Sequence, residues 1–270
     1  SVADVERRLA ESPFLAGRLT RSDGFVVAAG REPLVARRAA RSNASARLWP
    51  RARRLGRLIG RLPYVRMVAV TGSLAVDAAG DDADIDLFIV VADGRLWLAR
   101  ALVVAIVRLA APAGVRLCPN YLLAEAAMEL DASDRTYGTA REIAQMVPVA
   151  GLGTYDEFLA RNGWYRALQP NHEPARAARD DRTSRHDRTS RHDRPGRVRR
   201  AVERIGRAGP FDRLERWEMR RKVRRLRAAT RSPEARYDAQ RCKGHVEGHA
   251  VRAAAAAEAR FHELLGGAIQ

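Results

Sequence analysis

Hydrophobic positions along the chain follow two periods, and the alternation between them lays out the elements. Residues 65–70 form a β-branched apolar run bounded by Pro63 and Gly72, which predicts a buried strand. Residues 84–91 and 115–123 repeat that pattern and predict two more strands. Residues 95–111 carry apolar side chains nearly all round a 3.6-residue period, so a helix well buried against the sheet is expected, ended by Pro112 and Gly114. A short helix starting at Ser73 fits residues 73–79, and helices fit 140–147, 155–162 and 164–168. Upstream, residues 35–61 are helical in pattern, with Leu48, Leu55, Leu58 and Ile59 on the inward face and a break expected at Trp49-Pro50.

The two ends of the chain read differently. Residues 1–34 predict a helix over 2–9 and a hairpin over 19–27, turning at Ser22-Asp23-Gly24. A helix followed by a hairpin fits either a winged-helix remnant or a short structural subdomain. Residues 172–197 hold the tandem repeat DRTSRH-DRTSRH and no large apolar side chain, which predicts a disordered linker. Residues 198–270 return to a helical pattern, with Phe211, Leu214, Trp217 and Met219 among arginines and a last helix over 250–265. The expected architecture is therefore α/β in the α+β sense. A small mixed sheet flanked by helices occupies 35–171, with the N-terminal segment 1–34 and a C-terminal helical region 198–270 around the linker.

Composition narrows this only slightly. Two distant cysteines, Cys118 and Cys242, imply no disulfide framework, and residues 1–10 lack the apolar core of a signal peptide, so a cytoplasmic setting is expected. The longest apolar stretch, 96–111, carries Arg100 and Arg108, and no membrane partner is expected. The net charge of +17 favours phosphate-bearing partners by long-range attraction. Yet nearly all of it is arginine, as in GC-rich coding sequence, and aromatics for base stacking are sparse, so nucleic acid is supported by charge alone.

The candidate chemistry gathers between 72 and 86. Asp84 and Asp86 stand two residues apart at a strand start, so both carboxylates project to one face. Gly72 allows a phosphate to approach the backbone, and Ser73 adds a hydroxyl and an N–H at a helix start. Such a set suits a triphosphate carried with Mg²⁺, the metal on Asp84 and Asp86. The plainer alternatives are a solvated acidic strand start, since Asp81 and Asp82 are also acidic, and Ser73 as a helix cap. A second cluster, Cys242, His245 and His249, has ligand-like spacing, but Gly244 and Gly248 weaken a helix there; nucleotide contacts or ordinary surface fit as well.

Gly72-Ser73, ten intervening residues and then Asp84-Ile85-Asp86-Leu87 resemble the signature of the DNA polymerase β-like nucleotidyltransferase superfamily. The segments PYVRMVAVTGSLAV, GRLWLARALVV, LCPNYLL and TAREIAQMVPVAG, with Asn162-Gly163-Trp164, are similar to uncharacterised bacterial nucleotidyltransferase-domain proteins. That resemblance implies an NTP substrate, ATP foremost, and transfer of its nucleoside monophosphate to an unidentified hydroxyl acceptor with release of pyrophosphate. Asp84 and Asp86 would be catalytic metal ligands, and Gly72 and Ser73 would bind nucleotide. The chain departs from the family at the third carboxylate, because strand 115–123 offers Cys118, Asn120 and Tyr121 but no acid. Asn120, Glu125 and Glu129 stand as replacements. The alternative function is a catalytically weak or inactive regulator that binds nucleotide or nucleic acid.

Overall fold

The computed structural model describes residues 1–172, 196–206, 209–230 and 235–244. The DRTSRH repeats, most of the expected linker, His245, His249 and the expected 250–265 helix lie outside them. The architecture is mixed α+β, with a two-stranded and a six-stranded sheet flanked by helices.

Helix α1 (Val2–Glu11) is closed by a capping box from Ser1 and Asp4 and leads into the hairpin β1 (Leu19–Ser22) and β2 (Phe25–Ala28). Asp23 and Gly24 both take positive φ, 48° and 78°, which the tight turn requires. Helix α2 (Pro33–Gly60) then runs for 28 residues straight through Pro50, so the expected break is absent. Trp49 is held there by its indole N–H, which donates to Asp77 Oδ1 at 2.9 Å. Along the inward face Ile59 is buried and Leu48 and Leu55 are half-buried, but Leu58 points outward.

The large sheet has the order β6-β3-β4-β5-β8-β7. Its centre is β3 (Val65–Thr71) antiparallel to β4 (Ile85–Val91), which is parallel to β5 (Leu117–Ala124). A parallel pair needs a crossover, and α4 (Leu96–Ala110) supplies it. The first turn of α4 has no side-chain cap of its own. Glu215, buried, accepts from the N–H groups of Trp97 and Leu98 at 2.7 and 2.8 Å instead. This helix is less enclosed than its composition suggested, since Leu102 and Leu109 are exposed. By length and hydropathy alone, residues Leu96–Ala113 would suffice to cross a membrane; here the helix packs on β5.

Strand alternation sorts the core into two layers. Val68, Val70, Ile85, Leu87, Ile89 and Leu122 face α2 and α4, whereas Met67, Ala69, Phe88, Val90, Tyr121 and Leu123 face the opposite side. That second side is covered by α5 (Tyr137–Gln145), α6 (Leu152–Arg161) and α7 (Tyr165–Leu168). Between α5 and α6, residues Val147–Ala150 form β6 on the edge of β3, a strand not expected from the sequence, and α5 ends at Gln145, two residues short of the expected Val147. The C-terminal part is not wholly helical either. After α8 (Arg197–Ile205) and α9 (Gly209–Ala229), the short strands β7 (Arg236–Tyr237) and β8 (Arg241–Lys243) form a hairpin that joins the sheet beside β5.

Candidate functional site

The motif residues meet at one end of the central strands. Thr71, last residue of β3, is the ladder partner of Asp86, and Asp86 is in turn the partner of Cys118 on β5. Paired residues on neighbouring strands share a face, so Thr71, Asp86 and Cys118 form one row across three strands. Asp84 lies just before β4, which begins at Ile85, one residue later than expected.

Directly after Thr71, Gly72 and Ser73 open the four-residue helix α3 (Gly72–Ala75). Thr71 rather than Ser73 occupies the cap position, and no side-chain cap bond forms. Gly72 has φ +67°, and a Cβ there would run into Asp86 Oδ2. Only glycine meets both conditions, the left-handed backbone and the carboxylate lying against it. Gly72 and Ser73 are exposed, so their backbone beside Asp86 is open to a ligand.

The connection from α3 to Asp84 is tied down by α2. Ala79 N–H donates to the buried Ser45 hydroxyl at 3.0 Å, Arg38 donates to the Val76 and Asp77 carbonyls, and Arg47 pairs with Asp81 at 2.7 Å. A long helix thus fixes the loop that sets the distance between the Gly-Ser turn and the aspartates.

Three features define the electrostatics. Asp84 pairs with Arg116 at 3.0 Å, both side chains more than half exposed, so the pair is weak and open to exchange. Burial, together with the charges of Asp86 and Asp84 and a hydrogen bond to Asp86, pushes the Cys118 thiol up to about 12. Cys118 is thus a neutral donor to Asp86 at physiological pH. Thr71 Oγ1, in the row beside Asp86, is buried with no hydrogen-bond partner among the described residues.

These residues fit a Mg²⁺ ion carried by a nucleotide. Mg²⁺ is held by one or two carboxylates while phosphate oxygens and water fill its other positions, so an all-protein cage is unnecessary. Among the described residues no group of three or more His, Cys, Asp or Glu could hold a metal by itself. The Asp86 carboxylate fills the space a Cβ at Gly72 would take, so a carboxylate oxygen and the exposed Gly72–Ser73 backbone lie together where ligand atoms could approach.

Glu125 and Glu129 do not complete this site. They follow the far end of β5, with Glu125 seven residues beyond Cys118, roughly 20 Å along the strand. There Glu125 pairs with Arg66 at 3.5 Å, and Glu129 lies 3.8 Å from Arg135. Asn120 falls where the β4–β5 register shifts, between Pro119 and Tyr121, and its carbonyl accepts from Gly244 N–H at 3.4 Å. The side chain beside Asp86 is that of Cys118, which sequence reasoning missed because register across a parallel pair is not written locally. Cys242 faces the other core layer, near Tyr237, and burial raises its thiol against the opposing pull of Arg100.

No protein-family model, curated protein or solved structure matches the chain.

Proposed function

We propose that the chain is a Mg²⁺-dependent nucleotidyltransferase of the polymerase β-like kind, binding an NTP at the Gly72–Asp86 end of the sheet. The nucleoside monophosphate passes to a hydroxyl acceptor: a bond forms from the acceptor oxygen to the α-phosphorus as the bond to pyrophosphate breaks, and the hydroxyl proton leaves to water. The observation that carries this reading is the seating of Asp86 against Gly72, which places a carboxylate beside an exposed Gly-Ser backbone with no Cβ between them. Asp84 and Asp86 would hold the metal, and Gly72 and Ser73 would meet the phosphates through backbone N–H groups and the Ser73 hydroxyl. When bound, Mg²⁺ neutralises charge on the phosphates and on the departing pyrophosphate. The N-terminal helix and hairpin are read with it as a winged-helix remnant.

A second reading, a nucleotide-binding regulator with little or no turnover, is favoured by one observation. The place beside Asp86 is taken by a protonated thiol, which cannot accept the acceptor hydroxyl's proton near neutral pH. Incubation with α-labelled ATP, Mg²⁺ and hydroxyl acceptors of several classes separates the two. Label transfer by the natural chain that disappears in Asp84→Ala supports the transferase. Mg²⁺-dependent binding without transfer selects the regulator, and absence of both contradicts the shared site.

A further inference from the structure

Helix α9 carries a stripe of arginine that the site above does not use. Arg213, Arg216, Arg220, Arg224 and Arg227 recur at intervals of three or four residues, share one face and are all exposed. The acids of the same helix lie elsewhere: Glu215 and Glu218 are buried, and Asp212 pairs with Arg95 at 2.7 Å. Among the described residues, Arg213, Arg216, Arg220 and Arg224 enter no ion pair, although Arg221 nearby pairs with Glu218 at 2.7 Å. Trp217 stands within the stripe, 58% exposed, with the Arg221 guanidinium 5.1 Å from the centre of its ring. A large ring left in water among guanidinium groups has the chemistry that takes a nucleobase on its face and phosphates at its sides.

Beside this stripe a cavity of about 580 Å³ opens between α9 and the β7–β8 hairpin. Arg220 and Arg224 line it together with Met219, Val223 and Tyr237, so it is cationic at the rim and partly apolar within. Past Arg227 and Tyr237, which line both, lies a second hollow of about 400 Å³ bordered by Arg236. The acid at both hollows, Asp238, is turned into its own hairpin, accepting from Gln240 and Arg241 N–H groups at 2.7 and 2.8 Å. Helix α9 therefore carries the arginine stripe with the exposed Trp217 indole among it, and the stripe borders the partly apolar hollow.

We propose that this groove binds single-stranded nucleic acid, with phosphates along the arginine stripe and bases on Trp217 and in the cavity. Unpaired bases are required because a duplex hides the faces that the indole and the apolar floor would meet. From Arg213 to Arg227 the helix rises roughly 21 Å, the span of about six phosphates at the single-strand spacing within B-DNA. The proposal does not rest on the nucleotide site, and its test needs neither Mg²⁺ nor NTP.

Fluorescence anisotropy with labelled 12-nucleotide oligo(U) and oligo(dT), titrated with the full chain, tests it. Saturable binding is expected for at least one strand, quenching Trp217 emission and weakening with salt at a log–log slope of about −3, as four phosphate contacts would give. Arg220→Glu with Arg224→Glu should reduce affinity more than about tenfold, and Trp217→Ala about tenfold with the slope retained. The same charge change on the exposed face of α2, Arg51→Glu with Arg54→Glu, should leave affinity within about twofold. An equal loss in that control, equal affinity for a 12-base-pair duplex, or binding to phosphatidylserine vesicles without oligonucleotide binding would each overturn the proposal.

Discussion

The two ends of the central strands handle carboxylate charge in opposite ways. At the far end Glu203, from α8, accepts from Arg66 at 2.9 Å, Arg199 at 3.0 Å and the Tyr64 N–H at 2.8 Å. Burial pushes the Glu203 carboxyl up, but those hydrogen bonds and the Arg66 charge outweigh it and bring the group down to about 2. At the motif end burial and the charges of Asp86 and Asp84 instead push the Cys118 thiol up to about 12, and the exposed Arg116 pairs with Asp84. The far end is a closed ion-pair cluster that fastens α8 to the sheet. The motif end keeps negative charge beside an open backbone, which is the condition for holding a cation that a ligand brings. Acidic residues alone do not mark a functional site; the company they keep does.

The contrast yields predictions in descending order of effect. Gly72→Ala places a side chain on a left-handed backbone against Asp86, and nucleotide affinity measured by calorimetry should fall about 100-fold or more. The same variant should lose about 1–2 kcal/mol in urea unfolding from backbone strain alone. Glu203→Gln at the far end should cost about 2–3 kcal/mol in the same assay, because Arg66 and Arg199 lose their shared partner, and should leave nucleotide affinity unchanged. Its pH signature follows from the sign of the shift. The folded carboxyl sits below its ordinary 4.5, so its stabilisation is full above about pH 4.5 and is lost as pH falls toward 2. Urea midpoints of the natural chain should drop across that window more steeply than those of Glu203→Gln. Smallest is Arg116→Ala, which frees Asp84 from an exposed pair and should raise Mg²⁺-nucleotide affinity by no more than about fivefold.

Much of the central sheet was legible because β3, β4 and β5 are seven or eight residues of nearly unbroken apolar sequence. The edges were not. β6 is four residues containing Pro148 and follows a helix with no polar break, while β7 and β8 are two- and three-residue strands rich in Arg and Lys. Their pairing comes from the sheet edge they complete rather than from local pattern. Pro50 misled for a related reason, since tertiary contacts such as Trp49 with Asp77 hold α2 together across it. Within the site, the pairing of Gly72 with Asp86 was implied by two strands joined by a short connection. The place of Cys118 was not, because it depends on a register set across α4, twenty residues and more from the motif.

The most direct measurement is calorimetric titration of a non-hydrolysable ATP analogue into the natural chain and into Asp86→Asn, each with and without Mg²⁺. The asparagine is isosteric and leaves the fit against Gly72 intact, so folding is preserved while the charge is removed. Saturable binding that requires Mg²⁺ and is lost in Asp86→Asn is expected. Equal binding without the metal, or undiminished binding by Asp86→Asn, would contradict a metal–nucleotide site at this end of the sheet.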